Sequence, residues 1–573
     1  MSDLKENREF EEKETYNGDG ASLTEDGGLP TQSEIDTLRH IGDKIPYAAW
    51  LVAIVELAER FTYYGLTGPF QNYMQNERHG KNPGALGLGQ STATALQYFF
   101  QFWCYVTPIF GAIVADTWLG RYKAICLFAG IYICGLLIIF ITSLPFALDN
   151  GAGLPGLVVT MIVLGLGTGG IKSNVSPLIA EQYTETKMRI KTLPSGERVI
   201  LSPAITMQSI FNVFYWCINF GSLSAIATVW MELKIDFWAA YLLPFCFFFI
   251  AIFVLIIGKN KYVVRPPKGS ILVDAGKALW IGIKAKGNLD AAKPSVLEAN
   301  GQNSNVPWND LFVDELKRGI IACKVFAFYP IYWLVYGQMV SNFVSMAGTM
   351  ETHGLPNDLL FNLNPITIIV FLPFIEKFLY PSLRKAGIPF RPISRIAWGF
   401  GMAAVSMVYA AVLQHYIYKA GPCYDHPLTG ACSADASGVE GMVPQRIHVA
   451  LQTPAYVLVG LSEIFANVTG LEYAFTKAPP SMKSLVTSIY LLTNAFGSAL
   501  GIALSPTSEH PKLVIMFASI AGATALAGVL FWFLFNKYND QEVEMNKLDD
   551  LDDSAKPIPL KQLDSVTKQD SRV

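Results

Sequence analysis

The apolar residues of this chain are gathered into twelve blocks, each long enough to cross a bilayer. They run over roughly 47–75, 91–116, 121–144, 155–182, 205–231, 237–258, 319–347, 358–381, 392–417, 448–476, 481–505 and 511–536. A helix needs about 20 consecutive apolar residues to span the hydrocarbon core. Within that core every backbone polar group must be satisfied inside the segment, so helices are what such blocks can form. Only 16% of the 573 residues are charged, against about a quarter in a soluble protein. The reading is an all-α membrane protein of twelve transmembrane helices, without a cleavable signal peptide.

Six blocks precede and six follow a polar connection at 259–318, which contains Pro266-Pro267 and several Lys. This 6+6 plan is the major-facilitator arrangement, in which the substrate site lies between the halves at mid-bilayer. The expected units are a tail over 1–46, an N-terminal six-helix bundle over 47–258, a linker over 259–318, a C-terminal six-helix bundle over 319–536 and a tail over 537–573. Both tails are polar and acidic and read as mostly disordered. Short basic loops follow the even-numbered spans, with Arg121 and Lys123, then Lys187, Arg189, Lys191 and Arg198, then Lys377, Arg384, Lys385, Arg391 and Arg395; the linker adds about ten more Lys and Arg. By the positive-inside rule the tails and linker are cytoplasmic. A multi-pass plasma-membrane protein is expected, as a monomer in the lipid bilayer with no nucleic-acid partner.

Charges inside the blocks point to what the bundle does. Block one contains Glu56, Glu59 and Arg60. Each charge at the centre of a spanning helix costs roughly 2.5–3.5 kcal/mol on insertion scales. At about 100° per residue, these three fall on one side with Tyr63, Tyr64 and Thr67. Glu56 and Arg60 also form an i,i+4 pair. Block four adds Lys172 after a glycine-rich run, Gly165-Leu166-Gly167-Thr168-Gly169-Gly170. The glycines allow close helix approach, and Glu56 or Glu59 is the candidate partner for the ammonium. Block ten holds Glu463 with no cation at i±3 or i±4. That carboxylate suits a reversible proton site or an anionic partner for a substrate amine. A cavity with Arg60 and Lys172 on one wall and Glu463 on the other fits a zwitterion, and the pattern argues for transport.

Other polar positions are more ambiguous. Block five aligns Gln208, Asn212, Tyr215, Asn219 and Ser222; Asn219, near mid-span, is the candidate ligand group, and Gln208 and Asn212 read as helix-to-helix polar contacts. Trp333 and Tyr336 in block seven are either cavity lining or packing. Asn364-Pro365 marks a break in block eight. The segment Asp116-Thr117-Trp118-Leu119-Gly120-Arg121 places an acid at a helix end and a base just beyond it, so Asp116, Gly120 and Arg121 read as a gating latch. Cys423 and Cys432 are the two ends of a ten-residue stretch in the outside loop after block nine, where an oxidising compartment favours a disulfide. No metal-ligand cluster, nucleotide loop or nucleophile–base pair is found. Neither an enzyme nor a cofactor is expected.

Together these segments resemble the proton-coupled oligopeptide transporter family, especially its fungal di- and tripeptide members. The resemblance runs from about Leu38 to about Lys537. It is carried by Glu56, Glu59 and Arg60 with Phe61, Tyr63, Tyr64 and Gly65, by Gly165 through Lys172 with Glu181-Gln182-Tyr183, by Phe214-Tyr215-Trp216-Cys217-Ile218-Asn219-Phe220-Gly221, by Asn364 and Glu463, and by Lys477-Ala478-Pro479-Pro480. The resemblance implies a proton-coupled symporter importing di- and tripeptides by alternating access. It implies that Arg60 and Lys172 face the peptide carboxylate, that Glu463 with Asn219 and Asn364 holds the amino end, that Tyr64 and Tyr105 contact the peptide backbone, and that Trp333 lines a side-chain pocket. Glu56, Glu59, Lys172 and Glu463 would carry the coupling proton.

The chain departs from the family pattern in places. Thr67 stands where many members have a second cation, and Gly337 where many have an acid before the span-seven Gln. Animal members carry a His on span two where this chain has Tyr98. One gate between the halves is therefore expected to be missing or rebuilt. The rival readings are the same fold carrying another small solute such as nitrate, or a peptide sensor that does not transport.

Overall fold

A computed structural model describes residues 26–538, apart from 79, 81, 268, 302–305, 388–389, 428–442 and 480–481. The outer parts of both tails and Cys432 lie outside the described residues. Eleven helices among the described residues are long and apolar enough to cross a membrane. They are span two Gly89–Leu119, three Arg121–Thr142, four Gly153–Glu181, five Pro203–Lys234, six Phe237–Gly258, seven Asp310–Gly348, eight Leu359–Leu383, nine Pro392–Ala420, ten Val449–Ala474, eleven Leu485–Thr507 and twelve Leu513–Phe535. Span one, Tyr47–Thr67, is continued after Pro69 by Phe70–Gln75. Its 21 residues reach far enough; its three charges are what set it apart in composition.

Buried apolar side chains collect in two main cores. One draws on residues between Ala48 and Tyr262. The other draws on residues between Ala275 and Phe535, joined by Tyr98 and Ala225 from the first half. Spans three and four pack tightly because Gly170 presents no side chain; a Cβ there would lie 2.0 Å from the Phe128 ring. Three spans widen into a π turn, at Ala115–Leu119, Ile375–Leu379 and Ile464–Val468. Such turns recur at functional sites because they offset the side chains that follow.

The first tail is a correction to the sequence reading. Residues 26–46 were expected to be mostly disordered, yet Gln32–Thr37 is helical and Arg39–Ile41 is a strand, β1. Thr31 and Glu34 cap that helix reciprocally, satisfying two orphan donors. β1 pairs in parallel with Arg198–Leu201 (β3), which pairs antiparallel with Arg189–Thr192 (β2). The polar composition of the tail hid a strand whose partner lies about 160 residues away in the loop after span four.

The linker is also structured, with helices Ile271–Lys284 and Pro294–Ala299. Lys293 binds Asp290 at 3.2 Å and Asp314 at 2.7 Å, and Lys317 binds Asp290. These pairs tie the linker to the start of span seven. Sheet, linker and both described ends of the chain lie on one face of the bundle, here the terminal face. The opposite face is the distal face.

Candidate functional site

The charges of span one meet in the interior. Arg60 Nε–H donates to Glu56 Oε1 at 2.8 Å, one helical turn away. Glu59 Oε2 lies 2.9 Å from the same nitrogen but off the N–H direction. That contact is an ion pair without a hydrogen bond, and among the described residues no donor meets either Glu59 oxygen in good hydrogen-bond geometry, the nearby one being the Thr168 hydroxyl. Glu59 is fully buried, and Glu56 and Arg60 nearly so. Burying a carboxylate with so little hydrogen bonding is costly, and the Arg60 ion pair is what offsets it.

Lys172 does not close an ion pair with either glutamate. Its Nζ sits 3.9 Å from the centroid of the Tyr105 ring, a cation–π geometry. The sequence reading of Lys172 as the direct partner of Glu56 or Glu59 is thereby corrected. Arg60 reaches both carboxylates first because its long side chain folds back along its own helix.

Across the bundle, Glu463 is held by neutral amides. Asn364 Nδ2 donates to Oε2 at 3.1 Å, and Asn467 Nδ2 to Oε1 at 3.0 Å. The Tyr490 hydroxyl donates to Asn467 Oδ1 at 2.7 Å and extends the network to span eleven. The sequence reading missed Tyr490, whose role depends on the packing of spans ten and eleven. The π turn follows Glu463 directly and carries Asn467. The charge of Glu463 bears on Tyr64 and Tyr105 of the first half and on Tyr336 of the second. The structure thus brings Arg60, Tyr64, Tyr105, Lys172, Asn364 and Glu463 to one region between the halves.

Other sequence-predicted residues sit differently. Asn219 Nδ2 donates to the Tyr215 carbonyl at 2.8 Å, within its own helix. Trp333 is buried, its indole N–H donating to Thr493 Oγ1 at 3.0 Å. Arg121 pairs with Glu181 rather than Asp116, and Arg265 of the linker approaches the same carboxylate at 3.8 Å. The Asp116 carbonyl instead accepts from Gly269 N–H at 3.0 Å, and Gly120 turns the chain at φ +74°. These contacts join spans two, three and four to the linker. Cys423 is disulfide-bonded; Cys432 is outside the described residues.

Among the described residues, the side-chain hydrogen bonds found between the halves cluster toward the distal face. Asn72 and Asn357 exchange amide bonds at 2.8 Å in each direction. Gln90 donates to Asn342 at 2.9 Å, and Gln71 to Ser345 at 3.2 Å. Deeper in, the Tyr98 hydroxyl donates to the Leu334 carbonyl at 3.0 Å and accepts from Gln338 at 2.8 Å. The Tyr98 ring occupies a slot between two glycines. A Cβ at Gly337 would lie 2.3 Å from it, and one at Gly501 2.5 Å. With the Tyr98 ring in that slot, position 337 has no room for a side chain. The bundle is thus closed on its distal side.

A helical membrane bundle with charged groups between two halves and one face sealed is the architecture of an alternating-access carrier. A model of the POT family matches residues 122–521. Peptide transporter PTR_A of Candidozyma auris is 55% identical over 546 residues, covering 95% of this chain and 90% of the relative. Peptide transporter PTR2 of Saccharomyces cerevisiae is 51% identical over 536 residues, 94% of this chain and 86% of that protein. Among solved structures, the POT family transporter PepTSo superposes with a TM-score of 0.67 at 20% identity, covering 87% of this chain and 99% of that one. This chain belongs to the POT family. It is a membrane transporter and not an enzyme.

Proposed function

We propose that the protein imports di- and tripeptides with protons by alternating access. The observation that carries this is the opposition of the two walls. Arg60 and Lys172 stand in the first half, and Glu463 stands in the second with its charge felt at Tyr64 and Tyr105. A zwitterion bridges them, its carboxylate drawn to Lys172 and Arg60 and its amino group to Glu463 and Asn364. Trp333 and Asn219 complete the pocket once the halves rearrange. A carboxylate that draws Arg60 away leaves Glu59 to take a proton, which links peptide and proton binding. The names of the relatives, all peptide transporters in the two fungi above, support the substrate class.

The bundles over 47–258 and 319–536 act as the two rocking units, joined by the 259–318 linker. The basic terminal face is cytoplasmic, which makes the distal face extracellular and this conformation inward-facing. The plasma membrane is the site of action and the monomer the working unit. Each proton entering down about 100 mV contributes roughly 2.3 kcal/mol, about fifty-fold accumulation. The test is uptake of a labelled dipeptide into proteoliposomes under an inward proton gradient. Uptake abolished by a protonophore is expected; no uptake, or uptake indifferent to the protonophore, sinks the reading. Lys172→Ala is expected to abolish proton-driven uptake.

A further inference from the structure

A second pair of buried acids lies far from Glu59 and Glu463, on the distal side. Glu232 occupies the last turn of span five, and Asp358 immediately precedes span eight. One belongs to each half. Asp358 is fully buried, and Glu232 is 4% exposed. Glu232 Oε1 accepts from Asn72 Nδ2 at 2.8 Å, and the other amide hydrogen of Asn72 goes to Asn357. Glu232 Oε2 and both Asp358 oxygens have no donor among the described residues. The two side chains lie within hydrogen-bonding reach of each other.

Among the described residues no cation balances them. The groups bearing on Glu232 are Asp358 and Asn72, and those on Asp358 are Glu232 and its own backbone. Span six contributes Tyr241 and span ten Tyr456. Asp236, ahead of span six, bears on Tyr73 of Phe70–Gln75. Lys234, two residues beyond Glu232, lies over the Trp230 ring. In the loop before Asp358, Glu351 pairs with His353 at 3.6 Å. In span one, Glu56 and Glu59 both pair with Arg60. The distal His510 is held neutral, its ring pushed down to about 4 by burial and then by His426.

Two carboxylates are both acceptors, so they cannot bond to each other without a hydrogen. Two buried like charges without a counter-ion are strongly unfavourable. One proton placed between them supplies the missing donor and removes one charge, and the pair then titrates as a unit. We propose that Glu232 and Asp358 form a proton-binding site across the distal gate, occupied when the gate is closed. On the proposed orientation the proton arrives from outside: its binding joins the halves, and its loss leaves two facing carboxylates that push them apart. This site is separate from the proton site at Glu59. Its direct test does not require peptide to be the substrate.

The test uses the purified full-length protein in nanodiscs. Infrared difference spectra between alkaline and acidic buffer are recorded for wild type, Glu232→Gln, Asp358→Asn and the double variant. Spin labels at exposed Asn150 and Leu355 report the distal opening of each. In wild type the distal distance is expected to lengthen as pH rises, with loss of a protonated-carboxyl band. Either amide substitution supplies a permanent donor, so each single variant should stay closed at all pH and lack that band change, and the double variant should do the same. The proposal is overturned if the band and the pH-dependent distance change persist in both single variants. It is also overturned if wild type shows neither. Because each isosteric variant reports independently, misfolding of one leaves the other decisive.

Discussion

The two walls of the transport site handle buried charge in opposite ways. In the first half, Arg60 is shared between Glu56 and Glu59, and Lys172 rests on an aromatic ring. In the second half, one carboxylate is held by two neutral amides, with a tyrosine behind one of them. The first wall is an ion cluster in which each partner depends on another, so an arriving carboxylate must compete with charges already in place. The second wall is pre-organised and can receive a cation without breaking an ion pair. On the proposed function, the difference assigns proton coupling to the first half and amine recognition to the second.

Removing a cation from the first wall tests this most severely. Arg60→Ala strands two buried carboxylates, a change that costs about 3–5 kcal/mol. We expect a large fall in thermal midpoint and no uptake, read by fluorescence melting and proteoliposome assay. If Arg60→Ala melts as wild type does, the cluster is not the dependent ion network described. Glu463→Gln keeps the side-chain shape and one acceptor for an amide N–H, and a flip of the Asn364 amide turns its oxygen to the new NH2. Loss of one charge-assisted contact to the amine is worth about 1.5–3 kcal/mol, so peptide affinity should fall roughly 10- to 100-fold with the melting point little changed. Equal loss of stability in both variants would erase the contrast between the walls.

Smaller effects come from the contacts that bring the walls together. Gly337→Ala forces a methyl against the Tyr98 ring, an overpacking cost of about 1–3 kcal/mol. It should lower the melting point and weaken closure of the distal side, measured with the same spin-label pair. The smallest effect is at the linker. Hydrogen bonds from Lys317 and then Lys293 hold the Asp290 carboxyl below its ordinary range. Its contribution is therefore present above that range and lost as pH falls through the lowered value. Hydrogen exchange in Ile271–Lys284 and Pro294–Ala299 should quicken on acidification, and an unchanged rate would remove the linker tie.

The spans, the charged face of span one, the i,i+4 pairing of Glu56 with Arg60 and the family were legible in the chain itself. Bilayer length and helical period are local properties, and a motif carries its residues with it. The partner of Lys172, the shape of the gate around Tyr98 and the order in residues 26–46 were not legible. Each depends on a residue distant in sequence: Tyr105 takes Lys172, Gly337 and Gly501 admit Tyr98, and β3 receives Arg39–Ile41.

The sequence by itself thus determined which segments cross the membrane and which charges they carry in, because insertion energy is counted along one helix at a time. Only the tertiary structure decided which of those charges are left without a counter-charge and which neutral groups hold them. Helix packing gave Glu463 the Asn364 amide, left Glu59 with no donor in good hydrogen-bond geometry and set Glu232 beside Asp358. A buried charge is defined by its neighbours, and in this bundle the deciding neighbours mostly come from another helix.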